Sequence, residues 1–285
     1  MINYRILGGL GNQIFQVLDA IVLANKYDTK VVLDFSSVGA RDFHLDYWKE
    51  VTKPSNGICV ENLQVKNYDR LQGTHVLTLR NAGSLPTKPG DFVYGWTPNV
   101  SYFERYGLIR RGCFLFDSEE SDLKLNEAAI HFRRGDYLQS NLGIPSDLYY
   151  SKALKFIRRR GVEKLTVFSD DLAYAINWVQ SHSESDMNIE VFKSRDAIST
   201  LYEMSKFPFS ITSNSTFSFW AHYFGGSISC FPFPFYTNVP NYYKNLYCDR
   251  KYSKRIFDVQ RLPTSIGIAV RREIDSLSQY LGNKS

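Results

Sequence analysis

An apolar run near the middle of the chain, Ala128-Ala129-Ile130, leads directly into His131-Phe132-Arg133-Arg134-Gly135-Asp136-Tyr137-Leu138. The pattern predicts a buried strand over residues 128–133 that breaks into a loop. Open α/β sheets bind their ligands at such carboxyl strand ends. The two adjacent arginines need an anion or acidic side chains there, because guanidinium groups stay charged and bind phosphate through paired hydrogen bonds. Two interpretations are open at this point: a bound anion, or an Arg–Asp pair without a ligand.

Composition and charge narrow the class of protein. The chain has 285 residues, of which 44% are apolar, enough for one large or two ordinary domains. The formal charge of +5 is too small to indicate nucleic-acid binding. The four cysteines form no Cys-x-x-Cys pair, so no zinc or redox motif is indicated. Without a signal-peptide pattern or a membrane-spanning run, we expect a cytoplasmic protein with free thiols.

The chain opens with a strand over residues 4–7, the loop Gly8-Gly9-Leu10-Gly11, a helix over 12–26 and a strand over 31–35. Glycines at such a turn let backbone N–H groups approach an anion at a helix N-terminus. Position 14 is Ile, where a dinucleotide fingerprint requires its third glycine, so a dehydrogenase is the weaker interpretation. A tight turn without a ligand is the alternative. The following residues are less regular, with strands expected over 76–79 and 92–96 and a linker over 117–122.

From residue 128 onward, short apolar runs predict strands over 128–133, 164–169, 189–192, 209–212 and 228–231. Helical patterns between them predict helices over 147–160, 172–181, 196–206 and 216–224. This alternation predicts parallel strands joined by right-handed crossovers. We therefore expect the α/β class, with two α/β halves facing each other across a cleft. The predicted domains are residues 1–127, residues 128–240, and a basic tail over residues 241–285. Six Lys or Arg and two Asp lie between Lys244 and Arg261, and an apolar helix face follows near the C-terminus. That helix either packs on the body or contacts a membrane or partner.

Three predicted strand ends carry polar residues: 131–136, 169–171 and 213–217. In a parallel sheet they lie at one edge. Arginines there supply charge for a diphosphate, Ser215 and Thr216 supply hydroxyl and N–H groups, Asp170 can accept from a guanine edge, and His131 can bond ribose or base. Asp170 or Asp171, and Ser215 or Thr216, are equally suited to cap helices. The chain has no Asp-x-Asp, His-Glu-x-x-His or Walker motif, so arginine has to neutralise the diphosphate in place of a metal.

Four segments together resemble the bacterial α-1,2-fucosyltransferases of glycosyltransferase family 11. They are Gly8-Gly9-Leu10-Gly11-Asn12-Gln13-Ile14-Phe15-Gln16, His131-Phe132-Arg133-Arg134-Gly135-Asp136-Tyr137, Phe168-Ser169-Asp170-Asp171 and Asn214-Ser215-Thr216-Phe217-Ser218-Phe219-Trp220. Their order and separation also resemble that family, over about residues 4–231.

The resemblance implies a GT-B-like architecture of two Rossmann-like domains, with the acceptor on the N-terminal side and the GDP-sugar on the C-terminal side. It implies inverting transfer of L-fucose from GDP-β-L-fucose to the 2-hydroxyl of a galactoside, without a metal. The acceptor would be a galactose-containing oligosaccharide or lipid-linked glycan, in synthesis of a surface polysaccharide such as O-antigen. The basic segment would allow peripheral contact with the inner membrane face.

The resemblance also implies roles for individual residues. Arg133 would hold the β-phosphate and stabilise the departing GDP, with Arg134 beside it. Gly11 and Asn12 would approach the diphosphate or fucose, and Ser215, Thr216 and Phe217 would bind phosphates. His131 and Asp170 would contact the nucleoside. Asp136 is a candidate for the base that an inverting displacement needs, or a structural partner of either arginine.

Two other functions remain open. One is a related transferase that uses another GDP-sugar, which donor preference would distinguish. The other is a non-catalytic protein that binds a nucleotide-sugar or glycan, which would bind the ligand without releasing GDP.

Overall fold

A computed structural model describes residues 2–28, 30–35, 38, 47–48, 63–66, 76–78, 92–95, 99–113, 124, 126–140, 142–182, 187–193, 196–235 and 252–258. The elements in chain order are β1 (Ile2–Arg5), α1 (Leu10–Tyr27), β2 (Val31–Asp34), β3 (Leu63–Lys66), β4 (Val76–Thr78), β5 (Phe92–Tyr94), α2 (Val100–Arg105), β6 (Glu127–Phe132), α3 (Asp147–Arg158), β7 (Lys164–Ser169), α4 (Leu172–Ser181), β8 (Asn188–Val191), α5 (Ala197–Ser205), β9 (Phe209–Ile211), α6 (Thr216–Gly225), β10 (Ile228–Phe233) and β11 (Ser253–Phe257).

The N-terminal strands form a sheet with the order β3-β2-β1-β5-β4. Its strand pairs are parallel throughout the described register. The helix α1 connects β1 to β2, and nearly all of its side chains from Leu10 to Ala24 are buried. The burial of α1 extends around most of its surface because α6 also packs against it, with Phe219 and Trp220 in contact with Phe15.

The second sheet has the order β11-β10-β9-β6-β7-β8, again with parallel pairs. The central strand β6 is flanked by β9 and β7, so the three strands predicted to end in polar loops are neighbours. The core beneath them includes Phe132, Tyr150, Leu165, Val167 and Trp178, all at most 7% exposed. This order places three loops side by side at one sheet edge.

Contacts between residues group the chain into two compact units. One comprises the described parts of Met1–Leu123, Ser194–Lys206 and Thr216–Gly226, and the other those of Lys124–Lys193, Phe207–Ser215 and Ser227–Ser285. The helices α5 and α6 follow strands of the second sheet along the chain, yet they pack with the first unit. The predicted domain roles, and the predicted cleft, stay predictions.

The predicted α/β class with two parallel sheets is confirmed. Within the described residues the predicted strands and helices are present with ends shifted by up to two residues. Three elements were not predicted: β3, α2 and β11. The strand β11 lies inside the basic segment, and Lys254 and Arg255 are exposed on it at the sheet edge. The predicted linker over 117–122 and the C-terminal helix fall outside the described residues. Among the residues that are described, no helix has the length and apolar character that crossing a bilayer requires.

Candidate functional site

Arg133 lies immediately after the carboxyl end of β6 and contacts two carboxylates. Its Nη2 is 2.6 Å from Asp136 Oδ1, and its Nη1 is 3.0 Å from Asp170 Oδ2. The side chain of Arg133 is 34% exposed, that of Asp170 24% and that of Asp136 65%. Ion pairs this exposed stabilise folding by at most about 1 kcal/mol each. The pairs therefore matter mainly because they orient the guanidinium group at the edge of the sheet.

Asp170 is fixed by more contacts than Asp136. Its Oδ1 also accepts a hydrogen bond from the Arg134 N–H at 2.8 Å. A Cβ added to Gly135 would lie 2.7 Å from Asp170 Oδ2, so only glycine leaves the carboxylate in this place. The short 3₁₀ turn Asp136–Leu138 follows directly. The loop after β6 therefore bends tightly around the carboxylate of Asp170, which lies just after the end of β7.

Arg134 is fixed by different partners. Its Nε lies 3.3 Å from Asp171 Oδ2, and its guanidinium lies 3.7 Å from the centre of the Tyr174 ring. Asp171 also caps α4, because its Oδ1 accepts from the Tyr174 N–H at 3.0 Å. The capping role that sequence left open between the two aspartates thus belongs to Asp171.

His131 is buried, with 6% of its surface exposed, and its Nδ1 lies 2.8 Å from Ser213 Oγ. Burial, reinforced by the nearby Arg133 charge, lowers the pKa of His131 to about 3. The ring is therefore neutral at physiological pH. It serves as a hydrogen-bonding group rather than as a charge for phosphate.

Asn214 is a buried residue to which the sequence assigned no role of its own. Its Nδ2 donates to the Gly143 carbonyl at 2.7 Å, which fastens the loop before α3. Its Oδ1 is buried without a hydrogen-bond partner among the described residues. The next residue, Ser215, is 5% exposed. The signal for Asn214 in the sequence is its place in the motif that begins Asn214-Ser215-Thr216.

The remaining predicted residues meet in the first unit, where α1 and α6 begin. A Cβ added to Gly11 would lie 2.4 Å from the Phe217 N and 2.7 Å from Thr216 Oγ1, so the two helix starts touch through this glycine. Thr216 Oγ1 donates to Asn12 Oδ1 at 2.7 Å, and Trp220 Nε1 donates to the Gly11 carbonyl at 3.0 Å. Two helix N-termini, each favourable to anions, therefore lie together.

The ten predicted site residues thus form two groups. Gly11, Asn12, Thr216 and Phe217 belong to the first unit, and His131, Arg133, Arg134, Asp136, Asp170 and Ser215 to the second. The described residues contain no cluster of three or more His, Cys, Asp or Glu side chains suited to a metal ion. A groove of about 300 Å³ between α3 and α4 includes Tyr174 in its wall, but none of the ten residues lines it.

Comparison with known proteins identifies a family match in the middle of the chain. Residues 118–242, which are less than half of the chain, match the model of glycosyl transferase family 11. The resemblance inferred from the motifs is therefore confirmed here. The O-antigen biosynthesis glycosyltransferase WbnK of Escherichia coli is 30% identical over 105 residues. That match covers 33% of this chain and 33% of the relative, so it spans a third of the length of each.

Solved structures with similar folds include POFUT1 in complex with GDP, with a TM-score of 0.48 and 13% identity over 81% of this chain and 97% of that one. The fucosyltransferase NodZ from Bradyrhizobium has a TM-score of 0.43 and 10% identity over 78% and 92%. The E. coli heptosyltransferase WaaC with ADP has a TM-score of 0.49 and 7% identity over 96% and 99%.

Proposed function

Starting from the family 11 glycosyltransferase region at residues 118–242, we propose that this protein is an inverting α-1,2-fucosyltransferase. It transfers L-fucose from GDP-β-L-fucose to the 2-hydroxyl of a galactoside. The observation that carries the proposal is Arg133, held by two carboxylates at the carboxyl edge of the sheet inside the family 11 region. A charged, oriented guanidinium at this edge suits the diphosphate of a nucleotide-sugar.

The two partners of Arg133 differ in how readily a phosphate displaces them. Asp136 is mostly exposed and contacts Arg133 alone among the described ion pairs, whereas Asp170 is also fixed by the Arg134 N–H. An incoming β-phosphate therefore replaces Asp136 more easily than Asp170. In the bound state Asp170 keeps Arg133 oriented, and Asp136 is released to face the acceptor.

The released carboxylate supplies the proton acceptor. Inverting displacement forms a bond from the acceptor oxygen to the anomeric carbon while the bond to the β-phosphate oxygen breaks. The acceptor proton passes to Asp136, and the negative charge that develops on GDP is stabilised by Arg133. This charge stabilisation requires no metal, so we propose that the reaction proceeds without one.

The other site residues complete the donor contacts in this proposal. Gly11, Asn12, Thr216 and Phe217 lie where two helices begin, which favours a diphosphate or the hydroxyls of the sugar. His131 is neutral and suits ribose or base. Arg134 and Ser215 belong to the second unit together with His131, and Asp170 keeps lone pairs for the nucleoside.

The acceptor we propose is a galactose-containing oligosaccharide or lipid-linked glycan in the synthesis of a surface polysaccharide. The name of the E. coli relative, an O-antigen biosynthesis glycosyltransferase, supports this acceptor class. We propose a cytoplasmic location with peripheral contact at the inner membrane face, supported by Lys254 and Arg255, which β11 exposes. No nucleic-acid partner is proposed.

The test is release of GDP from GDP-fucose in EDTA, with and without a panel of galactose-terminated acceptors. Arg133→Ala is compared with Arg159→Ala, which removes an exposed arginine at the end of α3. We expect acceptor-dependent release that survives EDTA. Arg133→Ala should slow it by at least about a hundredfold, equivalent to about 3 kcal/mol of barrier, because the leaving group loses its charge partner. Arg159→Ala should retain it.

The outcomes separate the alternatives. Equal or faster turnover of GDP-mannose would identify a transferase for another GDP-sugar. Binding of GDP-fucose without release, for every acceptor in the panel, would favour a non-catalytic binding protein. Unchanged turnover in Arg133→Ala would contradict the assignment of the leaving-group site.

A further inference from the structure

Two buried glutamines on α1 bind back to the loop from which the helix begins. Gln13 and Gln16 are both 0% exposed. Burying a primary amide is unfavourable unless its donors and acceptor are satisfied. The Nε2 of each glutamine, and the Oε1 of Gln16 as well, bind the backbone of residues 7–8, where the glycine loop begins.

Gln16 satisfies both backbone groups of one residue. Its Oε1 accepts from the Leu7 N–H at 2.8 Å, and its Nε2 donates to the Leu7 carbonyl at 2.8 Å. This is the pattern that a neighbouring strand provides, but here it comes from a side chain nine residues later. Leu7 lies just beyond the end of β1, so Gln16 extends the ordered backbone past the strand.

Gln13 holds the next residue. Its Nε2 donates to the Gly8 carbonyl at 2.8 Å, and its Oε1 accepts from Trp48 Nε1 at 3.0 Å. Gly8 has a φ of +74°, which a residue with a side chain rarely adopts. A Cβ at this position would lie 2.9 Å from Asn12 Nδ2. The backbone around Gly8 and the amide of Asn12 are therefore fitted to each other.

We propose that Gln16 is a positioning residue for the transferase reaction. By fixing Leu7 it sets the start of the glycine loop, and the loop in turn places Gly11 and Asn12 at the shared helix start. Gln16 itself contacts no substrate. This inference rests on the proposed function, in which Gly11 and Asn12 contact the donor.

The test compares two substitutions with a matched control. Gln16→Met keeps the length of the side chain and removes both hydrogen bonds. Gln16→Glu keeps the acceptor but, when ionised, places negative charge against the Leu7 carbonyl. A protonated carboxyl restores one donor and one acceptor, and burial raises its pKa. The control Val22→Ala shortens another fully buried side chain of α1, remote from the loop.

We expect Gln16→Met to lower kcat/KM for GDP-fucose by at least about tenfold. The kcat/KM of Val22→Ala should stay within about twofold of the wild type, although its Tm falls by a similar amount. The activity of Gln16→Glu, relative to the wild type, should rise as the pH is lowered through the raised pKa. Hydrogen exchange at residues 4–12 should be faster in Gln16→Met and unchanged in Val22→Ala.

Kinetics of Gln16→Met that match the control at equal Tm would overturn the proposal. So would unchanged hydrogen exchange at residues 4–12. If the wild type binds GDP-fucose but transfers nothing, the proposed function fails separately. The affinity for GDP-fucose then tests the positioning role. A Kd about tenfold higher in Gln16→Met than in the wild type supports that role, and an equal Kd contradicts it. A wild type that does not bind GDP-fucose contradicts both.

Discussion

The two groups of site residues are built by different physical means. In the first unit, Gly11 and Asn12 are held by neutral hydrogen bonds and by close contact with the backbone of α6. In the second unit, Arg133 and Arg134 are held by carboxylates that are partly exposed. Close packing tolerates almost no change in volume, whereas exposed ion pairs are weak and can exchange partners.

The difference assigns a separate task to each region. In the proposed function, the closely packed glycine loop defines where a donor binds. The arginine cluster is already charge-compensated, so in the same proposal a phosphate enters by replacing a carboxylate rather than by pairing with a bare cation. Substitutions that overpack the first region should act mainly on stability, and substitutions of charged groups in the second should act mainly on turnover and GDP binding.

The largest effect on stability should come from Gly11→Ala. Its Cβ would lie 2.4 Å from the backbone N of Phe217, and a backbone atom cannot swing away. We expect the free energy of unfolding to fall by about 3 kcal/mol, the upper part of the range for overpacking. In Gly135→Ala the new Cβ meets only the carboxylate of Asp170, at 2.7 Å, which can rotate. Urea unfolding should show a loss below about 1 kcal/mol there. An equal loss in the free energy of unfolding for Gly11→Ala and Gly135→Ala would contradict the difference between the two regions.

The next effect separates the two partners of Arg133. Asp136→Asn should lower kcat by about a hundredfold with little change in GDP affinity, because the proton acceptor is lost while Asp170 still holds the arginine. Asp170→Asn should weaken GDP binding by about tenfold, because Arg133 and the Arg134 N–H lose their shared carboxylate. Steady-state kinetics across pH and calorimetry with GDP measure both. If Asp136→Asn weakens GDP binding and spares kcat, Asp136 is only a structural partner.

The smallest effect at neutral pH concerns His131. Its pKa in the folded protein is about 3, whereas the unfolded chain takes up the proton near pH 6.5. Stability from this residue is therefore complete above pH 6.5 and declines as the pH falls towards 3, by up to about 1.4 kcal/mol per pH unit. His131→Asn should flatten that decline in urea unfolding at pH 7, 6, 5 and 4. His222, whose pKa burial also lowers, remains in both proteins and contributes equally. If the free energy of unfolding falls with pH in the same way in the wild type and in His131→Asn, the lowered pKa of His131 is contradicted.

Much of the second sheet could be read from sequence because its signals are local. Strand β7 and helix α4 have the predicted limits, since short apolar runs and Asp171 define their ends. The strand β11 was missed because Ser253-Lys254-Arg255-Ile256-Phe257 carries only two apolar residues. It forms because it pairs with β10 at the edge, where charged side chains are tolerated.

The sequence by itself determined the α/β class, the match of residues 118–242 to the family 11 model, and the types of residue at the three strand ends. These depend on periodicity and on motifs that lie within short stretches of chain. Only the tertiary structure decided that Asp171 caps while Asp170 holds Arg133, and that Gly11 touches the start of α6. The contacts of Gly11 join residues more than two hundred positions apart, and their geometry depends on how the helices pack rather than on any local pattern.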